Sequence, residues 1–200
     1  MKKIVLGSLA LVSFANATLI YPIPVKVEKN KAVLTVEDNN TKYQATLYRW
    51  IQEDGKDKLI PVSEDEAIVY PPLFKAGKKR LKIVLLKNDD RKTEKAYRIV
   101  LEELQTHKAK INGSMINIKK MFSIPVFVLP KEDKTNFKLK CDGNKLVVEN
   151  TGNKHLKVLF INDKQVNSYI LPENKKSFEI TKKQGTIKFA DFPDTNYQCK

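Results

Sequence analysis

The sequence predicts an all-β protein built from two immunoglobulin-like β-sandwich domains, and three observations support this prediction. Apolar and polar residues alternate with a period of two along almost the whole chain, which is typical of half-buried strands. Turn-forming residues interrupt the alternation roughly every eight to twelve residues, as in sandwich folds. The composition shifts to charged residues at 130–134, so we expect one domain at 18–129 and a second at 130–200.

In the first block, the alternation predicts short strands that end at recognisable turn signals. A turn is expected at 38–40, a hairpin turn at 53–55 and a loop at 87–90, and Pro71 and Pro72 end another strand. Residues 94–104 are compatible with either a strand or a helix. The predicted strands are 32–36, 43–51, 68–70, 81–85 and 97–101.

The end of the first block predicts one unusually long strand, because six apolar residues share one parity: Ile116, Ile118, Phe122, Ile124, Val126 and Val128. Lys120 interrupts this row, and Met121 takes its place if the strand contains a bulge. A plain core strand is the alternative explanation of the same pattern.

The second block contains the two cysteines of the chain, Cys141 and Cys199. Both follow Trp50, so the Cys…Trp…Cys pattern of antibody domains is absent. A disulfide between them is expected in an exported chain, and two unpaired buried thiols are the alternative. The predicted strands are 137–140, 146–148, 156–160, 168–171, 178–180 and 187–189.

The start of the chain matches a secretory signal peptide. Two lysines precede an apolar core at 4–14, and Ala15-Asn16-Ala17 is a small-x-small cleavage pattern. An uncleaved membrane anchor is the alternative, but the apolar run is shorter than the about 20 residues that span a bilayer. We therefore expect export, cleavage after Ala17 and no stable membrane insertion.

The charge and the scarcity of histidine disfavour nucleic-acid binding and catalysis. The formal net charge is +14, but only four of the 37 basic residues are arginines, whereas nucleic-acid recognition favours arginine. The two histidines, His107 and His155, lie far from both cysteines in the sequence, so no zinc-site spacing and no nucleophile–base pair is apparent. We expect no catalytic residue, no metal and no cofactor.

Several short strings occur in a characteristic order along both blocks. They are Tyr-Pro at 21–22, Lys-Ala-Val at 31–33, Trp-Ile at 50–51, Tyr-Pro-Pro-Leu-Phe at 70–74 with Gly77, Glu-Lys-Ala-Tyr-Arg at 94–98, Leu-Glu-Glu-Leu at 101–104, Ile-Pro-Val-Phe-Val-Leu-Pro at 124–130, Val-Val-Glu-Asn-Thr-Gly at 147–152 and Ile-Leu-Pro at 170–172. Their order resembles the PapD-like periplasmic chaperones of pilus assembly by the chaperone–usher pathway. The strings at 94–98 and 124–130 are similar to the archaic, spore-coat-U-type branch.

The resemblance implies a boomerang of two domains that works in the periplasm without a cofactor. Its partners would be pilus or fibre subunits, which are incomplete sandwiches lacking their last strand, and an outer-membrane usher that receives them. The chaperone lends its own strand to the subunit, a form of β-augmentation. The donor strand would lie at 116–124, and the row when uncovered would favour self-association. The donor residues would be Ile116, Ile118, Met121, Phe122 and Ile124.

The resemblance also implies that two basic residues in the cleft anchor the subunit's terminal carboxylate. Lys31, just before Ala-Val, matches the family's basic residue on the first strand. The family's second lysine falls on Pro125 here, and Lys119 or Lys120 substitutes if the register differs. A surface-displayed adhesion or structural module is the alternative function, and an incomplete sandwich at one end of the chain would favour it.

Overall fold

The structure is a computed structural model that describes residues 18–39, 41–87, 91–111 and 114–199, with backbone alone at 109–111. The predicted signal peptide, Asn40 of the predicted turn and residues 88–90 of the predicted loop lie outside the described residues. The described residues form nineteen strands and no helix. The strands are β1 (Leu19–Tyr21), β2 (Val25–Val27), β3 (Lys31–Glu37), β4 (Lys42–Glu53), β5 (Lys56–Pro61), β6 (Ala67–Tyr70), β7 (Leu73–Lys75), β8 (Lys78–Leu85), β9 (Lys95–Glu103), β10 (His107–Ile111), β11 (Ser114–Ile118), β12 (Met121–Val128), β13 (Phe137–Asp142), β14 (Lys145–Asn150), β15 (Leu156–Ile161), β16 (Lys164–Ile170), β17 (Lys175–Glu179), β18 (Gln184–Phe189) and β19 (Thr195–Gln198).

The first sandwich packs a four-stranded sheet against a six-stranded sheet. The order of the first is β1-β3-β8-β6, and that of the second is β2-β12-β9-β4-β5, with β7 also paired to β4. Alternate residues of each strand point into the core between them, as the period of two predicts. The fully buried members of this core include Leu34, Val36, Tyr43, Leu81, Ile83, Ile99, Leu101 and Val126.

The second sandwich packs sheet β13-β14-β17 against sheet β16-β15-β18-β19. Its core includes Leu146, Val148, Leu156, Val158, Ile170 and Ile187. A disulfide joins Cys141 on β13 to Cys199 beyond β19, with 5.5 Å between the two Cα atoms. The predicted pairing of the cysteines and the prediction of two all-β sandwiches are therefore confirmed.

The string at 147–152 has a structural role at the start of the second sandwich. The side chain of Asn150 is buried, and its Nδ2 donates to the carbonyl oxygens of Lys154 and Ile170. A Cβ at Gly152 would lie 2.3 Å from the carbonyl oxygen of Lys134. Only glycine therefore permits this close approach of the chain, which holds the interdomain segment against the second sandwich.

The structure corrects the prediction of one long strand at the end of the first block. The ladder between β9 and β12 ends at Met121, and pairing resumes in the separate hairpin β10–β11 at Ile118. Between these points residues 103–106 face residues 119–120, so four residues of one strand lie opposite two of the other. Unequal numbers of facing residues produce a bulge that interrupts the ladder. The stretch that permitted either a strand or a helix is the strand β9.

The strands of the first sandwich end at Val128, and those of the second begin at Phe137. The proposed domain boundary at residue 130 falls between them and stays a prediction. The described part of the chain contains no helix that could span a membrane.

Removal of the disulfide should destabilise the second sandwich. The bond closes a separation of 58 residues, which corresponds to about 4 kcal/mol in the chain-entropy description. We expect Cys141→Ser with Cys199→Ser to lower the free energy of unfolding, measured by urea denaturation, by that amount. The wild-type protein in reducing agent is the matched control and should match the variant. A loss below about 1 kcal/mol would contradict this role of the bond.

Candidate functional site

The hairpin β10–β11 continues the β9–β12 strand pair beyond the first sandwich. At its base, the side chain of Glu103 is fully buried and accepts a hydrogen bond from the backbone N–H of Lys120 at 3.1 Å. The Nε2 atom of His107 lies 2.6 Å from the same carboxylate. Burial opposes ionisation of Glu103, but the hydrogen bonds from His107 and Lys120 outweigh burial and lower its pKa. Glu103 thereby fastens both strands of the hairpin to the sandwich.

Apolar side chains of β11 and of the start of β12 are exposed. Met115 and Met121 are each 63% exposed, and Ile116 and Ile118 are 41% and 46% exposed. Natural proteins seldom leave such a row uncovered without a use for it. Ile116 and Ile118 share one face of β11, and Met115 lies on the opposite face. We call Met115, Ile116, Ile118 and Met121 the apolar row.

Two of the residues expected in the donor strand belong to the core of the first sandwich instead. Ile124 is 2% exposed and lies in the main core cluster, and Phe122 is partly buried against the same cluster. Ile116 and Ile118 lie on the hairpin beyond the first sandwich, where no core covers them, whereas Phe122 and Ile124 lie where β12 pairs with β9. The donor role of Phe122 and Ile124 stays a prediction.

The outer edge of this segment has no partner strand among the described residues. β11 pairs with β10 on one side alone, and β12 pairs with β9 on the same side. On the other side, β2 pairs with Val126–Val128 and leaves Met121–Pro125 open. An open edge beside an apolar row is a template for one more strand. Pro125 has no N–H to donate and is tolerated at such an edge.

The lysines expected as anchors do not form one site. Lys119 Nζ lies 2.5 Å from Glu102, and Lys120 Nζ lies 4.0 Å from the buried carboxylate of Asp38. Lys31 is the first residue of β3, and Asp38 directly follows that strand. Lys31 and Lys120 are therefore about 20 Å apart, at opposite ends of the first sandwich.

Lys31 also lies on a later strand than the resemblance implied, because β1 and β2 precede β3. The basic residue on the strand beside β12 is Lys26 of β2, whose Cα pairs with that of Phe127. Its side chain is exposed, whereas Val25 and Val27 point into the core. Lys26 therefore points to the outer face of the six-stranded sheet.

An aromatic cluster fills the space between the two sandwiches. Trp50 and Phe127 come from the outer face of the six-stranded sheet, and Tyr169 and Leu171 come from the second sandwich. The ring of Phe127 stacks on that of His155, with 3.8 Å between their centroids. The residues of this cluster are largely buried, so they hold the two domains in contact.

Hydrogen bonds across this interface restrict the relative orientation of the two sandwiches. Gln52 donates to the carbonyl oxygen of Tyr169 at 3.0 Å and accepts from the N–H of Leu171 at 2.9 Å. His155 Nδ1 lies 2.8 Å from the buried carboxylate of Glu94, which also accepts the His155 backbone N–H. Each contact joins the first sandwich to the second. Hydrogen bonds of fixed geometry allow fewer relative orientations than apolar packing alone.

Arg98 places a cation in the cleft beside this cluster. Its guanidinium carbon lies 3.9 Å from the centre of the Trp50 ring, and its Nη1 contacts Ser123 at 3.4 Å. Burial lowers the pKa of Arg98, with Asp57 and Tyr169 opposing the shift. No carboxylate of the described residues forms an ion pair with Arg98, although the charge of Asp57 acts on it from a greater distance.

Arg98 was not among the expected anchors, although it lies in the string at 94–98. Its position depends on pairing across strands, which no local string reveals. Arg98 lies directly opposite Pro125, the position at which the resemblance places the second anchor. Lys26 and Arg98 flank β12 on the same face, about 12 Å apart between Cα atoms from the spacing of strands and residues. Two long basic side chains at that distance can reach one anion between them.

The described residues contain no group of three or more His, Cys, Asp or Glu side chains placed to hold a metal ion.

A cavity of about 440 Å³ opens beside the aromatic cluster, lined in part by Trp50, Gln52 and Leu171. Arg49 in its wall pairs with Glu66. Burial opposes ionisation of Glu66, but hydrogen bonds from Arg49 and Tyr97 outweigh it and lower the pKa. This ion pair therefore belongs to the wall of the domain interface.

Comparisons with known proteins find a family model that matches the first sandwich and solved structures that share the fold. The family model described as "Pili and flagellar-assembly chaperone, PapD N-terminal domain" matches residues 14–134. No curated protein matches the sequence.

Solved structures share the fold across both sandwiches. A chain of the CsuC–CsuE chaperone–tip adhesion subunit pre-assembly complex of Acinetobacter baumannii archaic Csu pili has a TM-score of 0.67 and 20% identity, covering 85% of this chain and 92% of that one. A chain from the Salmonella enterica SafA pilin–SafB chaperone complex gives 0.68 and 16%, covering 94% and 98%. The E. coli chaperone DraB gives 0.63 and 18%, covering 92% and 98%. This likeness is consistent with the boomerang arrangement of two domains.

Loss of the Glu103 carboxylate should loosen the base of the hairpin. We expect Glu103→Ala to speed hydrogen exchange of the Lys120 amide about tenfold or more, because a buried donor loses its acceptor. Glu102→Ala removes the neighbouring exposed carboxylate and is the control. Since the folded chain lowers the pKa of Glu103, its contribution is complete above the ordinary carboxylate pKa and is lost as the pH falls through the folded value. Equal exchange in both variants would contradict the fastening role.

Proposed function

The chain belongs to the family of PapD-like pili-assembly chaperones, since the family model covers more than half of it, and from that membership we propose that it captures fibre subunits by donating a strand. The donated segment is Ser114–Ile118 with the start of β12. A subunit that lacks its last strand would pair with the open outer edge of this segment. The family is one of chaperones, which supports a role without catalysis.

The open edge beside the apolar row is the observation that carries this proposal. Backbone groups of the edge supply hydrogen bonds to any extended partner, and the side chains on one face of the segment, Ile116 and Ile118 among them, enter its groove. Each apolar side chain buried in that way contributes roughly 1.5–3 kcal/mol, whereas an exposed ion pair such as Lys119–Glu102 contributes about 0–1 kcal/mol. Burial of the row therefore dominates the affinity.

We assign the anchor for the subunit's terminal carboxylate to Arg98 and Lys26. Both flank β12 on the face that lines the cleft, and Arg98 has no carboxylate partner among the described residues. A partly buried guanidinium forms strong charge-assisted hydrogen bonds with a carboxylate. The aromatic cluster excludes water from one side of Arg98, which strengthens this interaction.

The compartment and the second partner complete the proposal. The predicted signal peptide supports export, and the disulfide is of the kind that persists in an oxidising compartment such as the periplasm. Delivery of the captured subunit to an outer-membrane usher is the general role of the family. Each domain has two packed sheets, so no incomplete sandwich favours the adhesion-module alternative.

Charging the apolar row should abolish capture of subunits while leaving the chaperone folded. We expect Ile116→Asp with Ile118→Asp to stop complex formation, because burial of two carboxylates in an apolar groove is strongly unfavourable. The measurement dilutes denatured subunit, recovered from the wild-type complex, into each chaperone and quantifies the complex by size exclusion.

The matched control places the same charges on exposed apolar residues of the other sheet. Leu19→Asp with Val33→Asp alters side chains of similar exposure on β1 and β3. We expect this variant to capture subunits as the wild type does. Wild-type capture by the Ile116 and Ile118 variant would mean that another segment is the donor.

Replacement of Arg98 tests the anchor. We expect Arg98→Ala to weaken capture at least about tenfold, and Arg98→Lys to weaken it less, because lysine keeps the charge but loses the planar fork. Lys31→Ala tests the residue that the sequence implied and should have little effect. Thermal unfolding shows whether loss of the Trp50 contact alone destabilises the fold. A strong effect of Lys31→Ala with none for Arg98→Ala would return the anchor to Lys31.

A further inference from the structure

Both methionines in the described residues lie in the apolar row. Met115 is on β11 and Met121 begins β12, and each is 63% exposed. The third methionine of the sequence is Met1, outside the described residues. Methionine is ordinarily a core residue, and none of the described core positions uses it. The two thioethers are therefore concentrated on the segment that we propose to donate.

Among the described residues, the other easily oxidised side chains are protected. Both cysteines form the disulfide, so neither is a free thiol. The single tryptophan, Trp50, is 2% exposed within the domain interface. Within the described part of the chain, a peroxide in the surrounding solution therefore meets the thioethers of Met115 and Met121 before any comparably reactive group.

We propose that Met115 and Met121 are a reversible oxidation site that switches off subunit capture. The sulfur lone pair attacks one oxygen of hydrogen peroxide, and the O–O bond breaks to release hydroxide. The proton on the transferred oxygen moves to that hydroxide, so the sulfur is left as a sulfoxide and the other oxygen leaves as water. The sulfoxide is polar and chiral, so it no longer suits an apolar contact with the subunit on either face of the segment. The fold is unaffected because neither side chain packs in a core.

The regulatory half of this inference rests on the proposed function, and the modification itself does not. The full chain is treated with hydrogen peroxide, and peptide mass spectrometry locates each added oxygen. We expect one oxygen on Met115 and one on Met121, with an unchanged thermal unfolding midpoint. If both methionines stay unmodified under conditions that oxidise the methionine of a free peptide, the proposed oxidation site is wrong.

Capture is then measured with subunit recovered from the wild-type complex, and each protein is compared with itself before treatment. We expect capture by the wild type to fall about tenfold or more, since an apolar contact is lost at two positions. Methionine sulfoxide reductases should restore it. The double variant Met115→Leu with Met121→Leu is compared in the same way. Whatever its level of capture before treatment, peroxide should leave that level unchanged.

The outcomes separate the inference from the function beneath it. Unchanged capture by fully oxidised wild type overturns the switch and leaves strand donation standing. An equal peroxide effect on the leucine variant also overturns it, because the sensitive group would then lie elsewhere. Untreated wild type that captures no subunit overturns strand donation and the switch together, while the oxidation site is still decided by the mass analysis.

Discussion

The unpaired backbone edge of β11 and of the start of β12 is the constraint on which the rest of the structure depends. Its N–H and C=O groups have no partner strand in the described residues, and exposed apolar side chains accompany them. An edge of this kind invites aggregation unless a specific partner covers it. The ionised Glu103 carboxylate and the β9–β12 ladder hold the edge in place, so that it is extended before any partner arrives. A strand prepared in this way loses less conformational freedom on binding.

The second sandwich is held in a fixed position next to the end of this edge. The Trp50–Phe127 cluster and the Glu94–His155 contact join the domains where β12 ends, and Arg98 lies beside that junction. A partner strand that runs along the edge toward the cleft would therefore meet a cation at its end. The number of residues in β12 fixes the distance between the apolar row and Arg98. The chaperone therefore determines the register in which a partner strand would pair with this edge.

Much of the fold could be predicted from the sequence, because strand alternation and turn residues are local signals. The two sandwiches and the pairing of Cys141 with Cys199 follow from such signals. The exposure of the residues expected in the donor strand was predicted only in part, since the apolar positions continue from the exposed hairpin into the core of the sandwich. Ile118 and Ile124 share parity in the sequence, yet one is exposed and the other lies in the core.

The cleft was less predictable, because its residues meet through pairing between distant strands. Lys31 was expected as an anchor because of the short Lys-Ala-Val motif, and that motif gives no information on which strand of the sheet carries the lysine. Arg98 acquires its position from Pro125 across the ladder and from Trp50 beyond it, contacts that no local pattern specifies. The local strings indicated the family, whereas the placement of Lys26 and Arg98 beside β12 depends on the order of the strands in the sheet.

Hydrogen exchange of the backbone amides in β11 and at the start of β12, measured with and without bound subunit, tests strand donation most directly. The account predicts that amides on the outer edge of Ser114–Ile118 and of Met121–Ile124 exchange readily in the free chaperone and become strongly protected in the complex. Protection should be largest there and small on the outer face of sheet β1-β3-β8-β6. Complex formation without new protection along this edge would contradict the account.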